Sequence, residues 1–162
     1  MLSSSHSYAT GGISAGEFWS DPKRLASILG TENAESYTAY NMLKVARHLF
    51  DWTKEMAYAD YYERVLINGV LTIQRGSDPG VMIYMLPLGP GKSKSVSYHG
   101  WGTPFDSFWC CYGTGIESFS KLGDSIYFLE GGKFPTLYVI QFISSTLTWD
   151  SSKIASCYTE QW

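Results

Sequence analysis

Charge is scarce in this chain. Only 17% of its 162 residues are Asp, Glu, Lys or Arg, and 12 basic against 15 acidic residues leave a formal net charge of -3. A polyanion-binding surface needs a basic excess or a basic run. Neither is present, so nucleic acid is not an expected partner. No apolar run approaches the roughly 20 residues of a membrane-spanning helix, and no span is expected. Residues 1–16 lack the basic and apolar regions of a secretory leader, so the chain is expected to begin as though inside a domain. Cysteine is sparse too, at Cys110, Cys111 and Cys157. An odd count with one adjacent pair does not make a disulfide framework, and neighbouring cysteines rarely satisfy disulfide geometry. The adjacent pair has two readings: buried small hydrophobes, or thiolates on a metal or in a reactive centre.

Aromatic residues are what the chain has in quantity, 16% of it with 12 Tyr, 6 Trp and 8 Phe. That much apolar surface can drive burial against chain entropy, which excludes disorder. Residues 1–31 are rich in Gly and Ser and contain H-S-Y-A-T-G-G-I-S-A-G-E-F-W. This reads as loop, with Gly11, Gly12 and Gly16 permitting turns. Helical periodicity begins at Thr31, with Met42, Val45, Ala46 and Leu49 at i, i+3, i+4, i+7. After a break over 51–54, a second helix is predicted over 56–74, with Ala59, Leu66, Ile67 and Val70 on one stripe and Tyr58, Tyr61, Tyr62 and Val65 on the next. Residues 75–108 read as an extended excursion punctuated by Gly and Pro around V-M-I-Y-M-L. Such long irregular segments are commonly functional. A third helix is predicted over about 115–123, and strands over 125–129 and 137–143, joined through Glu130-Gly131-Gly132.

Five segments, in order, resemble glycoside hydrolase family 127, the β-L-arabinofuranosidase type, and its plant branch especially. They are Y-A-T-G-G-I-S-A-G-E-F-W, A-E-S-Y-T-A-Y-N-M-L-K-V-A-R-H-L-F, Y-A-D-Y-Y-E-R-V-L-I-N-G-V-L, D-P-G-V-M-I-Y-M-L-P-L-G-P-G and W-G-T-P-F-D-S-F-W-C-C-Y-G-T-G-I-E-S-F-S-K-L-G-D-S-I-Y-F. The resemblance implies a mainly α fold: the second half of an (α/α)6 barrel over 1–124, then strands beginning a β-sandwich over 125–150. Residues 151–162 stay unassigned. It also implies a retaining glycosidase whose cysteine thiolate nucleophile is held by zinc. A bound Zn²⁺ removes the proton that a free thiol keeps at neutral pH. A retaining mechanism also needs an acid that protonates the departing oxygen and later activates water.

Carried onto this sequence, the resemblance makes Cys110 the nucleophile and a zinc ligand. Cys111 becomes the second thiolate, Glu35 the carboxylate ligand and Glu17 the acid/base. Glu63 and Tyr84 become residues that touch the sugar. Each has a plainer reading. Glu17 on a glycine-flanked loop suits a solvated carboxylate, Glu35 suits the positive end of a helix dipole, and a tyrosine in a strand is commonly core. Glu63 resists dismissal, because a carboxylate on an apolar stripe costs free energy unless paired or functional. His48 reads as structural, His99 as a residue able to line a cleft, and His6 as one able to reach the site. Cys157 receives no role.

One departure matters. The family's ligand glutamate stands two residues before a third cysteine, but here the triplet is Glu35-Ser36-Tyr37. A phenol of pKa near 10 on a bulky ring cannot replace a thiolate. Three ligands remain, a number that open zinc sites do use, so weakened zinc binding and impaired activity are expected. The alternatives are a non-catalytic carbohydrate-binding remnant and a structural zinc or interaction module. Expected partners are arabinofuranoside carbohydrates, together with self-association through apolar helix faces that a half barrel leaves uncovered. Parent enzymes acting on wall sugars would be extracellular or vacuolar.

Overall fold

The computed structural model describes residues 5–149 and the strand Cys157–Thr159. It is helix-rich with few short strands, and it divides into two compact units between Ser120 and Lys121.

The first unit contains β1 (Asn33–Glu35), α1 (Ser36–Thr53), α2 (Met56–Val65), β2 (Met85–Leu86) and α3 (Cys110–Ser118). In α1 the buried residues Ala39, Tyr40, Leu43, Ala46 and Phe50 form a single stripe, which packs on α2 and α3. The helix stops where the break was predicted, with Lys54 in the left-handed conformation (φ 56°) and its N–H on the Phe50 carbonyl. That is a C-terminal cap usually given to glycine. Its start lies later than the periodicity from Thr31 predicts. The backbone of residues 30–34 is already spoken for: Gly30 accepts from Leu88 and Gly89, Glu32 from Gly16, and Ala34 donates to Ser14. β1 is also an antiparallel partner of β2, with Asn33 opposite Leu86 and Glu35 opposite Met85.

The predicted helix over 56–74 is regular only to Val65. A π-helical turn, Leu66–Val70, and a 3-10 turn, Leu71–Ile73, complete it. The wide turn shifts the register, so Leu66 and Val70 stay buried while Ile67 is 48% exposed, off the stripe expected for it. α3 begins five residues before the predicted 115. Its sequence C-C-Y-G-T-G has weak helix propensity, and packing decides instead: a Cβ on Gly115 would lie 2.2 Å from Met82 Sδ. Residues 81–86 are all buried and pass through the core with Tyr8, Ala34, Ile73, Cys111 and Tyr112. Val45, Trp52, Met56, Ile67 and Ile116 leave large apolar side chains exposed on the helices.

In the second unit, β3 (Tyr127–Glu130) and β4 (Thr136–Val139) form an antiparallel hairpin with Tyr127 opposite Val139 and Glu130 opposite Thr136. β5 (Ser145–Leu147) pairs with β6 (Cys157–Thr159). Among the described residues, no helix is long and apolar enough to cross a membrane.

Candidate functional site

Three stretches of the first unit meet at the sulfurs of α3: the glycine-rich loop, the β1–α1 junction and the buried run that leads into β2. The loop is fixed from below. Tyr61 donates to the Gly11 carbonyl at 2.9 Å, and Gly11 lies so close to α2 that a Cβ there would fall 2.5 Å from Val65 Cγ2. Beyond it, Ala15 and Phe18 exchange both backbone hydrogen bonds, at 2.9 and 3.1 Å. Gly16 and Glu17 between them have φ of 56° and 68°. Two left-handed residues between a bonded pair make a type I′ turn. Glycine takes that conformation freely and glutamate does not, so Glu17 sits under backbone strain at the turn's tip. Strain of this kind concentrates at functional sites.

Tyr84 meets the carboxylate of Glu17, which is itself exposed. Its ring is 6% exposed, and its hydroxyl donates to Glu17 Oε1 at 2.6 Å while lying 3.3 Å from Cys110 Sγ. These two contacts cap the distance from carboxylate oxygen to sulfur at about 6 Å. Burial, the hydrogen bonds with Cys110 and Glu17, and the nearby sulfurs all push the Tyr84 phenol far above its ordinary pKa. It therefore keeps its proton.

Glu35 ends β1 and is buried. One of its oxygens accepts from Cys111 Sγ at 3.2 Å and the other from the Thr38 hydroxyl at 2.7 Å. Its own N–H donates to Ser14 Oγ, and Ser36 Oγ donates to the Cys111 carbonyl at 3.2 Å. The start of α1 is thereby tied to the start of α3. Cys110 is exposed and Cys111 buried, with their sulfurs 3.9 Å apart. Burial pushes the Cys111 thiol up, and the Glu35 charge and hydrogen bond add to this. The Tyr37 N–H and the Ser36 hydroxyl oppose it. Glu35, Cys110 and Cys111 together form a group able to hold a metal ion, their donor atoms all within 4.8 Å of one another.

Of the residues singled out from sequence, Glu17, Glu35, Tyr84, Cys110 and Cys111 come together. Tyr37 adds no side-chain donor: its ring is 48% exposed. Glu63 is half-buried on α2, outside the metal-binding group. His48 packs on Trp52 along α1, and His6 on Trp19 beside the Glu17 turn. His99, given no ligand role from sequence, lies with its ring 5.0 Å from Tyr84 and 3.8 Å from Trp109. The available signal was the density of rings through residues 98–112. A separate cavity of about 340 Å³ is lined by Tyr8, Leu25, Leu29 and Leu88 and contains none of these groups.

Among the curated proteins nothing matches the chain. The sequence profile described as "Beta-L-arabinofuranosidase, GH127 catalytic domain" matches residues 1–124, so the chain belongs to glycoside hydrolase family 127, the family of the β-L-arabinofuranosidases, and its substrate class is carbohydrate.

Proposed function

We propose that this site cleaves terminal β-L-arabinofuranosides with retention of configuration, within an (α/α)6 barrel to which α1, α2 and α3 belong. The observation that carries the reading is the double engagement of the Tyr84 hydroxyl, which keeps Glu17 and Cys110 within about 6 Å of each other. Retaining enzymes separate acid and nucleophile by about 5–5.5 Å, whereas inverting ones need about 6.5–9.5 Å to admit water.

In the first half of the reaction, Cys110 Sγ attacks the anomeric carbon. The C–O bond breaks with its electron pair going to oxygen, which takes the Glu17 proton. In the second half, Glu17 accepts a proton from water as the water oxygen attacks the same carbon, and the C–S bond breaks to return the thiolate. Tyr84 keeps its proton throughout and holds Glu17 in line. Glu63, on α2, is assigned to sugar hydroxyls together with Tyr84.

Glu35, Cys110 and Cys111 would hold zinc. Two thiolates bound tetrahedrally at about 2.3 Å sit roughly 3.8 Å apart, and these sulfurs are 3.9 Å apart. When bound, zinc keeps Cys110 as a thiolate at neutral pH. With Tyr37 supplying no third sulfur, the site is of the three-donor kind and binds zinc more weakly than a four-donor set. The same absence favours one second reading, a carbohydrate-binding remnant without turnover.

The test is hydrolysis of a chromogenic β-L-arabinofuranoside alongside zinc content, with mass spectrometry of the quenched reaction. Turnover with a pentosyl adduct on the Cys110 peptide is expected. Sugar binding without turnover or adduct would support the remnant instead.

A further inference from the structure

One short segment joins the turn that carries Glu17 to the strand that carries Glu35. Ser14 and Ala34 are both buried, and the Ala34 N–H donates to the Ser14 carbonyl at 3.2 Å. One residue on, the Glu35 N–H donates to Ser14 Oγ at 3.1 Å. Ala15 bridges to Asn33, and the Gly16 N–H donates to the Glu32 carbonyl at 2.8 Å. Residues 14–16 therefore run antiparallel along 32–35, with Glu17 leaving the paired stretch at one end and Glu35 at the other.

Both facing residues are strained. Ser14 has φ of 86° and Ala34 of 50°, a region that side chains other than glycine enter at a cost. Ala34 is the extra residue of a bulge, since Asn33 stands opposite Leu86 and Glu35 opposite the adjoining Met85. A regular strand would send Asn33 and Glu35 to one face, and a bulge re-aims a side chain. Here Asn33 bonds to Tyr8 and Gly30, whereas Glu35 reaches Cys111 Sγ and Thr38. Ser14 needs a different explanation. Glycine would take its φ freely, so on backbone grounds serine is the worse residue. What the side chain adds is a hydroxyl oxygen, and that oxygen accepts from the amide of the residue whose carboxylate meets the sulfurs. Without it a buried N–H would lose its partner, and the backbone of Glu35 would have to shift to find another.

We infer that Ser14 is a positioning residue for the metal-binding group: its hydroxyl aims Glu35 at Cys110 and Cys111, and its backbone ties that aim to the base of the Glu17 turn. Holding the ligand and aligning the acid thereby become one event. When the Glu35 carboxylate is fixed on a metal, its amide is fixed on Ser14, and the segment leading to Glu17 loses freedom with it. The part of this that concerns Glu17 rests on the glycosidase reading above; the part that concerns Glu35 and the sulfurs does not.

The experiment compares Ser14→Ala with Ser14→Gly. Both lose the hydroxyl, but glycine also relieves the backbone, so metal-free Ser14→Gly should melt above Ser14→Ala. Zinc competition against a chromogenic chelator should nevertheless show both variants binding at least about tenfold more weakly than the unaltered protein, the effect of losing a group that orients a metal ligand. At saturating zinc both should lower kcat for a chromogenic arabinofuranoside more than they raise KM. In the unaltered protein, hydrogen exchange followed by NMR should show zinc slowing the amides of Ala34 and Glu35 and, with them, those of Ala15 and Phe18. Unchanged zinc affinity in a folded variant would overturn the inference. So would an affinity that follows Tm and returns in Ser14→Gly, or turn amides indifferent to zinc. The glycosidase reading fails differently: absence of turnover in every protein, with zinc affinity still lowered by both substitutions and the turn amides still responding, removes the reaction and leaves Ser14 in its role.

Discussion

Replacing Tyr37 by cysteine tests the metal site directly and needs no catalytic assay. The Tyr37 N–H already reaches Cys111 Sγ, so the backbone of residue 37 lies next to the group formed by Glu35, Cys110 and Cys111. A cysteine at 37 would offer that group a third thiolate. The loss of packing is modest, because the Tyr37 ring is 48% exposed. A fourth protein donor in place of water turns an open, three-donor set into a closed tetrahedral one. Even partners outside the ligand shell change metal affinity by about 10–100-fold, so a full thiolate ligand should contribute at least about 100-fold, or about 2.8 kcal/mol. Zinc competition against a chromogenic chelator at fixed pH measures this, and the zinc-dependent rise in Tm should grow with it. The affinity should also fall more steeply with decreasing pH in the variant, since one more thiol must lose its proton. Unchanged zinc affinity, with the variant folded, would refute the placement of the metal at these three residues.

Tyr84→Phe removes only a hydroxyl and keeps the ring packed among Tyr98, His99, Trp109 and Tyr112. It should lower kcat/KM by about 10-fold, the loss of the hydrogen bond that orients Glu17, with Tm nearly unchanged in a thermal melt. Gly11→Ala has to place a methyl against Val65 at φ 86°. It should destabilise the unit by about 2–4 kcal/mol in urea unfolding, combining overpacking with strain. The metal-free protein should lose stability in alkali. The Cys111 thiol and the Tyr84 phenol are raised by burial, and Tyr61 is raised to about 12 by the same cause against the opposing charge of Arg64. For groups whose folded pKa is raised, this contribution is complete below the unfolded value, about 8.5 for a thiol, and is lost as pH climbs above it. Cys111→Ala should flatten the first part of that decline in Tm measured from pH 8 to 10.

Much of the helical layout was legible from spacing alone. That α1 is helical and stops near Lys54 follows from apolar period and a break in it, which are local signals, but its buried face is not the predicted one: of Met42, Val45, Ala46 and Leu49 only Ala46 is fully buried, Val45 is exposed, and Ala39, Tyr40, Leu43 and Phe50 complete the stripe instead. What escaped was whatever long-range bonds decide. Residues 31–35 carry a helical pattern, but their amides and carbonyls are taken by the loop and by the segment after β2, so the helix waits until Ser36. The π-helical turn at Leu66–Val70 puts Ile67 into solvent because packing around Gly69 sets the register there, and no period of 3.6 encodes that. The early start of α3 was hidden by Cys110, Cys111 and Gly113, poor helix formers; the helix they open is packed closely further on, where Gly115 lies against Met82 and Ile73.

The site divides along the same line. Residue types and the family pattern pointed to Glu17, Glu35, Glu63, Tyr84, Cys110 and Cys111, of which Glu63 lies outside the metal-binding group, yet neither could say that Tyr84 joins Glu17 to the Cys110 sulfur. That depends on a buried strand passing between a turn and a helix start. The cysteine pair shows why a choice between a core reading and a chemical one was badly posed. Cys111 is fully buried in the core cluster, and it still donates to Glu35. Cys110 is exposed beside the Tyr84 hydroxyl. Adjacent residues entering a helix diverge by about 100°, so one sulfur can face the core and the next the opening while both border the same carboxylate. In the proposed mechanism the buried thiol orients the metal-binding group and the exposed one is left to react. A substitution that only fills volume, Cys111→Ala, should therefore abolish metal binding while leaving alkylation of Cys110 by iodoacetamide measurable. Loss of Cys110 alkylation in that variant would show that the two sulfurs do not have separate tasks.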